Sequence, residues 1–114
     1  MERPQIKHIA IAVPDGQREK LAEYYKTVFR MEEKDRSPNG GIYLSDGHIC
    51  LALINTRSQE PGLNHFGFQV GSIPEIEEAT QTTAQDNVPG ARAEKWIRDP
   101  EGNRVDISED GWPI

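Results

Sequence analysis

Cysteine is nearly absent from this chain. Of its 114 residues only Cys50 is one, so no disulfide can form within it. Packing must hold the fold, and a reducing compartment is compatible with that. Cys50 lies in the apolar run Ile49-Cys50-Leu51-Ala52-Leu53-Ile54, where it reads as a small buried hydrophobe and not as a reactive thiol. Long apolar runs are lacking too. None approaches the ~20 residues that span a bilayer, so no membrane partner is expected. Met1-Glu2-Arg3-Pro4 carries no apolar core of a secretory leader, which makes the cytoplasm the expected location. Positive charge is in deficit as well: 13 Lys and Arg face 19 Asp and Glu, a formal net charge of −6. With no basic stripe interleaved with aromatics, nucleic acid is not an expected partner. The remainder, about a third hydrophobic and over a quarter charged, is the balance of a soluble globular domain.

What the chain does contain is an internal repeat. Ile6-Lys7-His8-Ile9-Ala10-Ile11-Ala12-Val13 reads as a strand from its β-branched, alternating content. Leu63-Asn64-His65-Phe66-Gly67-Phe68-Gln69-Val70 has the same shape, with histidine again in third place, at an offset of 57 residues (65 − 8). Each strand leads through a turn into a helical pattern. Leu21, Tyr24, Tyr25, Val28 and Phe29 give the first helix its apolar face, and Ile73, Ile76, Ala79 or Thr80, and Thr83 give the second. Ser72 with Glu75 three residues on is a capping box, and Pro74 suits a first helical turn. Short strands with tight turns follow in each half, at Asp46-Gly47 and at Asp99-Pro100-Glu101-Gly102. The expected fold is α+β: a single domain over residues 1–114, with βαβββ modules over 5–54 and 63–112 and a linker over 55–62. Residues 87–93 leave little room for the first hairpin strand of the second module, which is expected to be short or missing.

Strand side chains alternate between faces. With Ile9, Ile11 and Val13 under the first helix, His8, Ala10 and Ala12 take the other face. With Phe66, Phe68 and Val70 under the second, His65, Gly67 and Gln69 lie opposite; with Val105 and Ile107 inward, so do Arg104, Asp106 and Ser108. Both histidines and Asp106 thus fall on faces the helices leave uncovered. Two imidazoles and one carboxylate are a facial ligand set suited to Fe(II) and related divalent ions, with positions open to water and substrate. Aligning Gly47 with Gly102 (offset 55) makes Leu51 the repeat partner of Asp106, so no fourth ligand is expected. Leu51, with Ile49 and Leu53, is expected to form an apolar wall for a bound small molecule, and Trp96 a stacking wall. His48 is a candidate acid–base group, although a turn histidine is more often only solvated. Arg98 and Arg104 read as solvated charges, and Trp112 as a packing or interface anchor.

Lys7-His8-Ile9-Ala10-Ile11-Ala12-Val13, Asn64-His65-Phe66-Gly67-Phe68 and Arg98-Asp99-Pro100-Glu101-Gly102-Asn103-Arg104-Val105-Asp106-Ile107 together resemble the vicinal oxygen chelate superfamily of glyoxalases, extradiol dioxygenases and bleomycin-resistance proteins. The resemblance implies two βαβββ modules whose sheets curl into a cup for a metal or ligand. It also implies one divalent ion (Fe, Mn, Zn or Ni) on His8, His65 and Asp106, and a homodimer. It covers nearly the whole chain but with departures. Asp106 stands where relatives usually carry Glu. Trp96 stands ten residues before it, where dioxygenases and fosfomycin enzymes commonly carry Tyr. The fourth ligand of glyoxalase-like and epimerase-like members is missing at Leu51, and the shortened 87–93 segment argues against a fosfomycin enzyme. Two functions stay open: a metal-dependent lyase, isomerase or dioxygenase acting on an oxygen-bearing small molecule, and a metal-free ligand-sequestering protein of the bleomycin-resistance type.

Overall fold

Isoleucine and valine alternate with histidine and alanine along β1 (Gln5–Val13), and the large side chains decide which face meets a helix. A computed structural model describes residues 3–57 and 59–114; Met1 and Glu2 of the N-terminal segment and Ser58 of the linker lie outside the described residues. The elements after β1 are α1 (Arg18–Phe29), β2 (Glu32–Arg36), β3 (Ile42–Ser45), β4 (Cys50–Asn55), β5 (Gly62–Gln69), α2 (Ile73–Thr80), β6 (Gln85–Asp86), β7 (Lys95–Arg98) and β8 (Arg104–Ser108). The order is βαβββ twice, the α+β arrangement expected from the repeat. Two compact units divide the chain. One, here the N-terminal unit, holds His8–Asn64 with Pro113–Ile114; the other, the C-terminal unit, holds His65–Trp112 with the described residues up to Lys7.

In the N-terminal unit the strand order is β2-β3-β4-β1. From His8 onward β1 runs parallel to β4, His8 opposite Cys50 and Ile9 opposite Leu51. β3 pairs antiparallel with β4, Leu44 opposite Leu51 and Tyr43 opposite Ala52. Laterally paired residues share a face. One face therefore gathers Ile9, Ile11, Val13, Ile42, Leu44, Leu51 and Leu53, packed with Ala22, Leu21 and Tyr25 of α1. Leu53 is fully buried, and removing such a side chain from water stabilises the unit by about 2 kcal/mol. The other face carries His8, Ala10, Ala12, Tyr43, Ser45, Cys50 and Ala52, all buried and all small except the imidazole and the Tyr43 ring. The α1 pattern expected from spacing holds only in part. Leu21 and Tyr25 reach the core, but Tyr24, Val28 and Phe29 are exposed. Their rings cluster along the helix instead, Tyr24 against Tyr25 at 5.3 Å and Tyr25 against Phe29 at 5.9 Å.

In the C-terminal unit the order is β5-β8-β7-β6. Parallel pairing sets Phe66 opposite Val105 and Gly67 opposite Asp106, and β7 adds antiparallel pairs of Trp96 with Asp106 and Arg98 with Arg104. Phe68, Val70, Ile76, Ile73, Ile97 and Ile107 pack with Ala84 beneath α2. Ser72 caps that helix, its hydroxyl accepting from the Glu75 N–H at 3.3 Å, while the Ile73 N–H donates to the Glu109 carboxylate at 2.8 Å. α2 ends at Thr80, so Ala84 and not Thr83 completes the apolar face. The first hairpin strand of this half is short, as expected, but lies at Gln85–Asp86, just before the segment 87–93. No helix among the described residues is long and apolar enough to cross a membrane.

Two consequences can be measured. Burial pushes the Cys50 thiol up to about 12. Cys50 should therefore resist an aromatic disulfide reagent at pH 8 in the native state and react within minutes once denatured. Rapid native reaction would contradict its buried position. At the surface, Arg36 and then Lys26 hydrogen-bond Glu33, at 2.7 Å each, and hold its carboxyl down to about 2. A depressed folded value below the unfolded ~4.3 stabilises the fold above that pH, and the contribution disappears as pH falls toward about 2. Because the group is exposed, Glu33→Gln should remove less than about 1 kcal/mol at pH 7 and nothing near pH 2. A loss equal at both pH values would show that the pairing is not its source.

Candidate metal centre

Asp106 is a charged residue in a nearly closed place, 4% exposed in the middle of β8. A buried carboxylate is costly unless its oxygens are paired, and here both are. Its Oδ2 lies 3.1 Å from Nε2 of His65, and its Oδ1 accepts from Nε of Arg104 at 3.0 Å. Burial pushes the Asp106 carboxyl up; the hydrogen bond and charge of His65, with the Arg104 guanidinium, outweigh it and hold the group below the usual carboxylate range. The β5–β8 register makes this contact. Gly67 is level with Asp106, and His65, two residues earlier on the same face, leans across to it.

Trp96, opposite Asp106 on β7, shares this face. The guanidinium of Arg104 lies 4.8 Å and that of Arg98 5.3 Å from its ring centre. Its indole N–H donates to the Asp86 carbonyl at 3.2 Å. Arg104 is therefore no solvated charge but part of the site; Arg98 bonds the Gly102 carbonyl at 2.9 Å.

Trp112, expected as a packing or interface anchor, is buried and packs against β5. A Cβ on Gly67 would meet Cη2 and Cζ2 of its indole at 2.7 and 2.9 Å, so the ring lies directly over Gly67 on the face of His65 and Asp106. Gly111 allows the reversal: with φ +80° it turns the chain back, its N–H donating to Ser108 Oγ at 2.8 Å. Glycine amid a strand signals close approach of another group, and Gly67 carried that signal.

His8 belongs to the N-terminal unit. It is 4% exposed, level with Cys50, on the face turned away from α1. Leu51 does not share that face. It stands in the helix-side cluster with Val13 and Ala22, and the expected apolar wall of Leu51 and Leu53 is corrected accordingly. The alignment through Gly47 and Gly102 was off by one residue. Ile9–Leu51 matches Phe66–Val105, so the counterpart of Asp106 is Ala52 at an offset of 54 (106 − 52). One residue of slip exchanges the faces of a strand. Ala52 offers no ligand atom either. His48 is exposed in the β3–β4 turn, where Asp46 accepts from the backbone N–H groups of His48 and Ile49 at 2.8 and 3.0 Å.

Fold and site together define a member of a known class. Residues 5–107 match the Glyoxalase/Bleomycin resistance protein/Dioxygenase superfamily, and the chain belongs to it. No curated protein matches. Among solved structures, a hypothetical protein from Bacillus halodurans is 20% identical, covering 93% of this chain and 94% of its own, with a TM-score of 0.69. A methylmalonyl-CoA epimerase from Streptomyces coelicolor, bound to 2-nitronate-propionyl-CoA, is 16% identical over 96% of this chain and 98% of its own, with a TM-score of 0.64. The 2,3-dioxygenase LapB from a Pseudomonas species is 17% identical with a TM-score of 0.65; it covers 98% of this chain, which spans only 41% of the dioxygenase. The chain likewise spans 19% of a xylose isomerase-like/4-hydroxyphenylpyruvate dioxygenase fusion protein. At these identities the likeness is one of fold, the mixed α+β glyoxalase fold.

The contact between Gly67 and Trp112 is testable by substitution. Gly67→Ala should destabilise the protein by about 1–3 kcal/mol and shift tryptophan emission to the red as the indole is displaced. In a Trp112→Ala background the same change should cost at least about 1 kcal/mol less, the coupling expected of touching groups. Strict additivity would place the indole elsewhere.

Proposed function

We propose that the chain is a metal-dependent enzyme acting on a small oxygen-bearing molecule, with one divalent ion held by His8, His65 and Asp106. The observation that carries this reading is the approach of His65 Nε2 to Asp106 Oδ2 at 3.1 Å. Two donors on metal bonds of ~2.1 Å at right angles lie ~3 Å apart, so the pair suits adjacent positions on one ion. His8, His65 and Asp106 are side chains that could hold a metal ion, each offering one nitrogen or oxygen ligand atom. When bound, such an ion stabilises negative charge developing on a substrate oxygen. The chain's own residues supply the rest: Trp112 and Trp96 as aromatic surfaces for the ligand, Arg104 as a fixed positive charge, and His48 as the candidate acid–base group. The reaction class is that of the superfamily's lyases, isomerases and dioxygenases. Family membership extends the proposal to a homodimer and to two modules, 5–54 and 63–112, within one domain; the cytoplasm is the location this reading takes.

A second reading is favoured by one feature. Both oxygens of Asp106 have partners within the chain, Arg104 on Oδ1 and His65 on Oδ2, the satisfaction a buried carboxylate needs in a metal-free protein that sequesters small ligands. Elemental analysis of anaerobically purified protein separates the two. The enzyme reading expects about one iron, manganese, zinc or nickel per chain, lost in His65→Ala and in His8→Ala, and affinity that falls with pH because the ligands must be deprotonated. Protein that takes up no metal even on reconstitution would leave the sequestering reading in its place.

A further inference from the structure

Asp106 is gripped by a chain of contacts that runs away from the metal side of the residue. Arg104 precedes it by two positions and so shares its face of β8. While Nε of Arg104 donates to Oδ1 of Asp106 at 3.0 Å, the terminal NH2 donates to Oδ1 of Asn87 at 3.0 Å. The same guanidinium rests on the Trp96 ring, and that ring is fixed by its bond to the Asp86 carbonyl. The arginine is thus held by two hydrogen bonds and a stacking platform, which removes most of the freedom of a long side chain. Arg98 lies against the same ring but bonds the Gly102 carbonyl.

A carboxylate has two oxygens and can bind a metal through one or both. An aspartate that stands free can rotate between these modes. Here Oδ1 is taken by Arg104, and only Oδ2 faces His65. We propose that Arg104, seated on Trp96 and Asn87, is a positioning residue that confines Asp106 to a single-oxygen ligand directed at the His65 side. The inference rests on the reading of His65 and Asp106 as metal ligands and deepens it. It gives Trp96 a role that needs no acidic proton: it is the platform for the arginine. It also gives the short aspartate a fixed orientation.

The test compares Arg104→Met, which keeps the stem and loses the donors, with Arg98→Met, which loses the other charge on the same ring. Three quantities are read: Co(II) affinity by chelator competition, the visible absorption of the Co(II) protein, and the 15N shift of His65 Nε2 in metal-free protein at a single pH. Arg104→Met should weaken Co(II) binding at least ~10-fold, the usual cost of losing a group that orients a ligand. It should also change the Co(II) absorption intensity and move the His65 resonance, while Arg98→Met leaves all three nearly as in wild type. Equal Co(II) binding with an unchanged spectrum in Arg104→Met would overturn the proposal. So would the same loss in Arg98→Met, which would mark a general effect of charge. If the wild-type protein takes up no Co(II), the metal reading fails on its own, and the metal-free resonance decides the rest. A His65 signal unmoved by Arg104→Met then overturns the clamp, and a moved one supports it. Should Arg104→Met not fold, Asn87→Ala removes one hold on the arginine from outside the strand. It should produce the same changes at smaller size, and no change would overturn the proposal.

Discussion

The register in which β5 lies parallel to β8, Gly67 level with Asp106, is the constraint on which the C-terminal unit's site depends. It brings His65 to the carboxylate, and it leaves bare backbone at Gly67 that the indole of Trp112 closely approaches. A one-residue slip of β5 would bury His65 among the side chains beneath α2, and a slip of β8 would instead turn Asp106 toward that core, an unpaired charge in apolar surroundings. The hydrophobic alternation Phe66, Phe68, Val70 against Val105, Ile107 forbids either slip. The polar site is thus held in place by apolar packing on the opposite side of the same strands.

Much of this was legible in the residues, because alternation is a strict two-fold rule once the large side chains are known. His8, His65 and Asp106 fall on their faces by counting alone, and Ser72 with Glu75 marks the start of α2. The failures have a common cause: they needed an alignment or a contact that local pattern does not carry. Leu51 was misplaced by trusting turn glycines to align the halves, although β4 itself alternates large Leu51 and Leu53 with small Cys50 and Ala52, as β1 alternates isoleucine with alanine. Reading that size alternation would have put Leu51 under α1. Tyr24, Val28 and Phe29 have helical spacing, yet the helix presents too narrow a stripe to the sheet to bury them. Trp112 follows a glycine and lies outside any regular element, so no periodicity pointed to its partner.

The electrostatics of the site run against those of the chain as a whole. The sequence carries six more acidic than basic charges by formal count, but Asp106 sits with His65 on one oxygen and Arg104 on the other, and Arg98 lies nearby over Trp96. Two arginines thus accompany this one carboxylate in a chain whose formal net charge is negative. Paired in this way the buried carboxylate stays ionised, and ionised is the form in which it can serve as a ligand.

The hook from Ser108 to Trp112 ties that site to the last strand in a way that affects its dynamics. β8 carries Arg104 and Asp106, and the turn anchored on Ser108 immediately delivers the indole to Gly67. Local opening of β8, which lies between β5 and β7, would therefore remove the carboxylate, the arginine that aims it and the indole at the same moment. Hydrogen exchange along β8 would measure how often these three groups leave together.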